Sequence, residues 1–272
     1  MSCAIVKEVT RWNHELSRAD EWNAARKQLL LKEKELTHMA DRLRAERLAM
    51  PWVKIEADYR FDDIGGTVAL ADLFDGRSQL FVYHFMFGPG WNEGCIGCSF
   101  LSDHLDGAVT HLQNHDVSYV AVSRAPIAEI AAFKRRMGWR FRWVSSFGTS
   151  FNYDFGVSFT PEQIASGKVY YNYEMRNFVN EDLQGASVFY RNQKGEIFHT
   201  YSSYARGLES ALGAYAVLDV TPMGRNETGA THSLADWVRH HDRYDQSDAV
   251  ACAAHPEHQT ASCHHAADPA RR

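Results

Sequence analysis

No stretch of this sequence approaches the ~20 consecutive apolar residues of a membrane-spanning helix. The opening residues, Met1-Ser2-Cys3-Ala4-Ile5-Val6-Lys7-Glu8, lack the apolar core of a secretory signal. The expectation is therefore a cytoplasmic protein with no membrane partner. A strong charge of either sign is also missing. The net charge is −5, which argues against a nucleic-acid-binding surface. Cysteine is scarce: five in 272 residues, an odd number, which does not suit a disulfide framework. In a reducing compartment a close pair of cysteines is instead catalytic or metal-binding. The chain is 45% hydrophobic and 23% charged, enough for one large or two small domains with a true core.

The most informative stretch is Cys95-Ile96-Gly97-Cys98. It follows a very apolar run, Leu80-Phe81-Val82-Tyr83-His84-Phe85-Met86-Phe87, and a turn-forming Gly88-Pro89-Gly90. A helix reads onward from it. Strand, loop and Cys-x-x-Cys at a helix start is the layout of a dithiol redox site. Unpaired N–H groups and the positive end of the macrodipole stabilise a thiolate there. The cysteine one turn on can attack the resulting mixed disulfide. On this reading Cys95 is the nucleophile and Cys98 resolves. A zinc site would need four ligands, but Cys252 and Cys263 lie far away. No metal or cofactor is expected. A third reading keeps the thiols without turnover.

Four supporting residues stand out. Arg124 follows the second buried strand, where loops converge at the carboxyl ends of parallel strands, and would supply positive charge. Glu93 and His84 are candidate proton carriers, and Trp91 would cover the dithiol or dock a partner. Each has a structural alternative: a cap for Arg124, a solvated loop carboxylate for Glu93, a hydrogen-bonded core residue for His84 and loop packing for Trp91.

Residues from about Arg18 to Ala49 read as one long helix ended by Pro51. Trp22, Leu29, Leu36, Leu43 and Met50 recur every seven positions on an otherwise charged rod. Such a helix lies across the main domain, or it pairs with its copy in a homodimer. Lys32, Glu33 and Arg47 interrupt a long coiled-coil seam.

Further on, Tyr59–Val68 suggests a hairpin, Leu70–Phe74 a helical turn and Leu80–Phe87 a central strand. Helix Phe100–Asn114 follows, then strand Val117–Ser123, a helix from Pro126 to Gly138 and a short strand over Arg142–Ser146. Ala186–Arg191 and Glu196–Tyr201 flank a hairpin turn, and Leu208–Leu218 closes as a helix. That order is an α/β sandwich with a mixed sheet. The expected domains are an extension over 1–51, a main domain over 52–245 and a disordered tail over 246–272. His255, His258, Cys263, His264 and His265 in that tail would bind a transition metal only adventitiously.

These elements, with Cys-x-x-Cys after the first central strand, resemble the thioredoxin-like fold. Val122-Ser123-Arg124-Ala125-Pro126, Val144-Ser145-Ser146 and Tyr153-Asp154-Phe155-Gly156-Val157 resemble the middle of peroxiredoxins. More specifically, Tyr83-His84-Phe85-Met86-Phe87-Gly88, Gly94-Cys95-Ile96-Gly97-Cys98-Ser99-Phe100, Phe151-Asn152-Tyr153-Asp154-Phe155 and Tyr204-Ala205-Arg206-Gly207 resemble the bacterial DUF899 family, named for its unknown function. Leu73-Phe74-Asp75-Gly76-Arg77 and the Lys32-Glu33-Lys34-Glu35 run add to that match, which spans roughly 20–245. The resemblance implies a thioredoxin-like three-layer sandwich with a mixed central sheet.

Two departures narrow what it implies. Thioredoxin-like enzymes place a cis-proline beside the dithiol, but the corresponding Gly185-Ala186-Ser187-Val188 has none. Peroxiredoxins carry a threonine three residues before the reactive cysteine, where this chain has Asn92. The expected function is a thiol–disulfide oxidoreductase acting on a small thiol, a peroxide or a protein disulfide. The alternative is a non-enzymatic binding or assembly protein using the long helix and an aromatic cleft near Tyr153, Phe155, Tyr170, Tyr171 and Tyr173.

Overall fold

The computed structural model describes residues 17–177 and 180–244. The tail over 246–272 and its His/Cys ligands lie outside the described residues. The chain divides into two compact units, Met1–Met50 and Pro51–Arg272. In the first, helix α1 spans Ala19–Leu48. Its start is fixed by Glu21, whose carboxylate accepts the Arg18 N–H at 3.0 Å. The residue before Pro51 is disfavoured in a helix, and α1 ends just short of it. No α1 residue is buried, and Leu36 is 70% exposed.

The second unit is built on an eight-stranded sheet. Its strands are β1 (Val53–Lys54), β2 (Arg60–Asp63), β3 (Gly66–Ala69), β4 (Gln79–His84), β5 (Val117–Ser123) and β6 (Arg142–Ser145). A separate two-stranded hairpin pairs β7 (Val169–Tyr171) with β8 (Glu174–Arg176). The long β9 (Gly185–Arg191) and β10 (Ile197–Tyr204) complete the main sheet. The order is β1-β10-β9-β4-β5-β6-β2-β3. β4, β5 and β6 are parallel, with Leu80 opposite Ser118 and Val122 opposite Val144. β9 returns antiparallel to β4, and β10 antiparallel to β9.

Two crossover helices, α2 (Ile96–Asn114) and α3 (Ile127–Arg136), connect the parallel strands. Neighbouring parallel strands joined in the same direction by right-handed crossovers put both helices on one face. The cores agree. Tyr83, Phe85, Tyr119 and Trp143 meet Phe100, Leu101, Ile130 and Phe133 on that face. Leu80, Val82, Val122 and Phe189 form the second core with Leu73, Phe74 and Phe151 on the other. That second layer is thin, made of a 3₁₀ turn at Leu70–Phe74 and the short α4 (Phe151–Asp154). The one-turn α5 (Pro161–Ala165) precedes the small hairpin.

The closing helix differs from its sequence reading. Residues Ala205–Ala211 form a 3₁₀ helix, and α6 covers only Gly213–Leu218. The break falls at Leu212–Gly213, where glycine weakens helix continuation. A C-terminal strap follows, with 3₁₀ turns at Leu234–Asp236 and His241–Arg243. Leu234 and Val238 anchor it in the α2/α3 core.

Candidate active site: a buried dithiol at a helix start

The extended run continues past β4. Phe85 N–H donates to Val122 O at 2.9 Å, and Ala125 N–H to Phe87 O at 2.8 Å. The chain then turns through Gly88–Gly94 and enters α2. Cys95 is the N-cap of α2, and its N–H donates to Met86 O at 3.0 Å. Met86 N–H in turn approaches Cys98 Sγ at 3.5 Å. The loop is thus held against the first helical turn by one backbone bond, Cys95 N–H to Met86 O, and by the Met86 N–H on the Cys98 sulfur. Ser99 adds to the clamp, since its N–H and its hydroxyl both donate to Cys95 O at 2.9 Å. Both thiols are buried: Cys95 is 9% exposed and Cys98 1%.

Gly94 makes that approach sterically feasible. A Cβ there would lie 2.6 Å from Phe85 Cε1 and 2.8 Å from Phe133 Cε1. Only glycine lets the backbone come so close to the two rings.

Glu93 is not a solvated loop carboxylate. It receives Arg136 Nη1 at 2.7 Å and Arg243 Nη1 at 3.0 Å. Burial opposes its ionisation, but Arg136 and Arg243 hold its carboxyl below the usual range. Asp242 completes the cluster through Arg136 Nε at 2.8 Å. His240, almost fully buried, donates from Nε2 to Gly94 O at 3.0 Å and accepts Arg136 Nη2 on Nδ1 at 3.2 Å. This pattern fits a neutral imidazole. Burial is the largest influence on its pKa and lowers it; Glu93 and Gly94 pull the other way.

Arg124 forms a fork with Asp182, Nε to Oδ1 at 2.7 Å and Nη2 to Oδ2 at 2.8 Å. Nη1 donates to the Tyr153 hydroxyl at 3.0 Å. Burial disfavours the charge of Arg124, yet Asp182 outweighs it and the guanidinium is held protonated. Ser158 donates to the same carboxylate at 2.5 Å. Trp91 packs beside this pair: a Cβ on Gly88 would meet both Trp91 Nε1 at 2.8 Å and Asp182 Oδ2 at 3.0 Å.

His84 points away from the dithiol. Side chains alternate along a strand, so Tyr83 faces α2 while His84 faces the second core. There its ring packs on Phe151 and Phe155. Nε2 meets Ser187 Oγ at 2.9 Å, Ser187 meets Ser202 at 2.8 Å, and Ser202 meets His199 Nε2 at 2.8 Å. Burial, then the neighbouring His199, pushes the His84 pKa down to about 3. Glu93 and Trp91 thus flank the dithiol loop, Arg124 stands beyond Trp91, and His84 belongs to a buried serine–histidine chain on the opposite face.

The sequence reading missed three contributors. Tyr83 shares a buried cluster with both cysteines, and burial, then Cys98 and Cys95, hold its pKa well above the ordinary value. Tyr119 on β5 belongs to the same buried cluster. His240 caps the loop from the C-terminal strap. The period-2 alternation of Leu80–Phe87 carried the signal for Tyr83. Nothing local marked His240. Among the described residues no group of three or more His, Cys, Asp or Glu side chains is arranged to hold a metal ion. No described helix is long and apolar enough to cross a membrane. A cleft of about 420 Å³ lies between α2 and α3, lined by Asp106, Lys134, Arg140 and Tyr119 among others. It opens at the amino ends of β5 and β6, at the far end of the sheet from the dithiol.

Strand order β10-β9-β4-β5, with a helix crossing from β4 to β5 and an antiparallel hairpin returning beside β4, defines a thioredoxin-like α/β domain. The family model of bacterial proteins of unknown function, DUF899, matches residues 12–244, and the chain belongs to that family. Among curated proteins none matches it. Solved structures similar to it include a peroxidoxin, BcpB, from Mycobacterium tuberculosis, 14% identical, covering 62% of this chain and 96% of that one at a TM-score of 0.39. Peroxiredoxin Q from Xanthomonas campestris is 13% identical, covering 61% and 96% at 0.40. A hypothetical protein from Sinorhizobium meliloti 1021 is 15% identical, covering 63% and 82% at 0.37.

Proposed function

We propose that the protein is a cytoplasmic thiol–disulfide oxidoreductase that cycles Cys95 and Cys98 between dithiol and disulfide. One observation carries the reading. The two thiols occupy the N-cap and first turn of the crossover helix α2, at the carboxyl end of β4. Helical residues three apart have Cα atoms about 5 Å apart, within the span a disulfide bridges.

In the forward half-reaction the Cys95 thiolate attacks one sulfur of a substrate disulfide. A Cys95–substrate mixed disulfide forms, and the other substrate sulfur leaves as a thiolate that takes a proton. The Cys98 thiolate then attacks Cys95 sulfur and expels the second substrate thiolate. The substrate gains two electrons and two protons, and the protein ends as the Cys95–Cys98 disulfide. With a peroxide, Cys95 takes up the terminal oxygen as a sulfenic acid and releases an alcohol or water. Attack by Cys98 then releases water and gives the same disulfide. A thiol reductant restores the dithiol in either case. Asn92, standing where peroxidases carry threonine, favours disulfides and small thiols over peroxides as substrates.

The roles of the neighbours follow. Glu93, held ionised by Arg136 and Arg243, fixes the loop rather than carrying protons. Trp91 and the Arg124–Asp182 pair form one wall beside the loop. Because Cys95 is nearly covered, the strap carrying His240 and the Glu93 loop must part for a substrate to reach its sulfur.

The test compares wild type with Cys95→Ser for reduction of a mixed glutathione disulfide and for consumption of hydrogen peroxide. The reading expects loss of the first activity in the variant; equal rates in both proteins overturn it.

A second reading, an assembly role, draws on α1. Trp22, Leu29, Leu36 and Leu43 all stand exposed on it. A homodimer through this helix would cover them. Light scattering of wild type and Leu36→Glu tests it: a dimer mass halved by the substitution supports pairing, and a monomer in both contradicts it.

A further inference from the structure

We infer that the cleft between α2 and α3 is a binding site for a small organic anion, whose acid group pairs with Lys134. The inference is independent of the dithiol reading, because the cleft opens at the amino ends of β5 and β6. Its volume of about 420 Å³ is that of a small-molecule site.

Five charged side chains line the cleft: Asp75, Asp106, Lys134, Arg140 and Arg142. Four of them already have partners. Asp75 accepts Arg77 Nη1 at 2.7 Å. Asp106 Oδ1 accepts the N–H groups of Arg140 at 2.7 Å and Phe141 at 3.0 Å. Its Oδ2 accepts Arg140 Nε at 3.3 Å. Arg142 donates from Nε to Asp63 at 2.9 Å and from Nη1 to Asp72 O at 2.8 Å. Lys134 is the exception. Among the described residues it has neither a hydrogen bond nor an ion pair, and Asp63 and Asp106 act on it only at longer range.

Lys134 is also half-buried. Its ammonium is partly stripped of water and gains no anion in return. Burial accordingly lowers its pKa by more than the two carboxylates restore. The charges around the cleft do not balance. Four cations, Arg77, Lys134, Arg140 and Arg142, meet three carboxylates, Asp63, Asp75 and Asp106. One positive charge is left over, on a chain whose net charge is −5.

Spare donors stand beside that charge. Among the described residues Arg140 keeps both Nη groups unspent, and Arg142 keeps Nη2. An acid group with two or three oxygens can engage an ammonium and a guanidinium together. Val109 and Phe141 line the same cleft and offer apolar surface to the carbon body of the ligand.

The test uses the full chain and two probes, phenyl phosphate and benzoate, which share an aromatic body and differ in the acid group. Calorimetry is expected to show saturable binding of at least one, and the tighter probe names the acid group preferred. No saturable binding of either overturns the inference. In wild type the bound probe should also shield Lys134 from acylation by an N-hydroxysuccinimide ester, read by peptide mass spectrometry. At about ten times its Kd the probe is expected to slow that acylation about tenfold, since only the free fraction reacts. Binding that leaves Lys134 labelled at its original rate places the anion elsewhere and overturns the site. This measurement needs no variant to fold. Lys134→Met keeps the length and removes the charge, and is expected to bind the probe about tenfold more weakly. An unchanged affinity in that variant contradicts the role given to Lys134.

Discussion

His240 Nε2 donates to the carbonyl of Gly94 at 3.0 Å, across 146 positions of sequence. Gly94 immediately precedes the N-cap cysteine, so the strap holds the loop before α2 by its backbone. Around that bond, Arg243 and Arg136 bind Glu93, and His241 Nδ1 meets Asp103 at 2.7 Å. The strap is thereby fastened over the start of α2.

Loosening that fastening should expose Cys95. In His240→Ala the lost hydrogen bond is worth about 1 kcal/mol, enough for roughly fivefold faster alkylation of Cys95 by iodoacetamide if strap opening limits access. An unchanged rate would mean that the strap does not control entry.

Acid should weaken the fold through His84. Its folded value of about 3 lies well below the ordinary 6.5. The unfolded chain therefore binds a proton that the folded one refuses. The cost is absent above pH ~6.5, begins as the pH falls through that value, and grows until about pH 3. At pH 5 it amounts to about 2 kcal/mol from this residue. The unfolding free energy from urea titrations should drop between pH 7 and pH 5 by about 2 kcal/mol less in His84→Asn than in wild type. Equal falls would assign the acid sensitivity elsewhere.

The Arg124–Asp182 fork is the most buried ion pair joining β5 to the loop before β9, with side chains 14% and 4% exposed. Asp182→Ala would strand a buried guanidinium and is expected to cost about 3–5 kcal/mol in denaturant titrations. A loss under 1 kcal/mol would show that Tyr153 and solvent suffice for Arg124.

Gly94→Ala forces a methyl against Phe85 and Phe133. Overpacking of this kind costs about 1–3 kcal/mol, read as a lower melting temperature. Because the clash displaces the residue before Cys95, disulfide reduction should slow as well. Wild-type stability in this variant would mean that the two rings yield easily.

Much of this was legible beforehand. β5 occupies the expected Val117–Ser123, the 3₁₀ turn the expected Leu70–Phe74, and α1 runs within one residue of its expected ends. In each case the periodicity was strong and the ends carried breakers. The start of α2 was less legible. The helix begins at Ile96 rather than Phe100, because Cys95 offers none of the usual capping side chains and Gly97 weakens the pattern. What fixes the start is tertiary: the Cys95 N–H on Met86 O and the close seat of Gly94. The strap was invisible for a related reason. Leu234 and Val238 are its only fully buried apolar residues, too few for a period, and its hold comes from charged side chains that resemble any solvated segment. His84, taken from the sequence as a candidate proton carrier for the dithiol, lies on the face opposite Tyr83 because side chains alternate along β4. The short β7–β8 hairpin lay inside an aromatic run, Tyr170, Tyr171 and Tyr173, whose turn at Asn172–Tyr173 adopts positive φ without a glycine to announce it.

The central claim, a reversible Cys95–Cys98 disulfide, is tested most directly by equilibrating the full chain in glutathione buffers of graded potential and quantifying the intramolecular disulfide by mass spectrometry. A single two-electron transition between about −120 and −270 mV, the range of thioredoxin-like catalysts, is the expected result. A pair that stays dithiol across that range, or that forms only glutathione adducts, contradicts it.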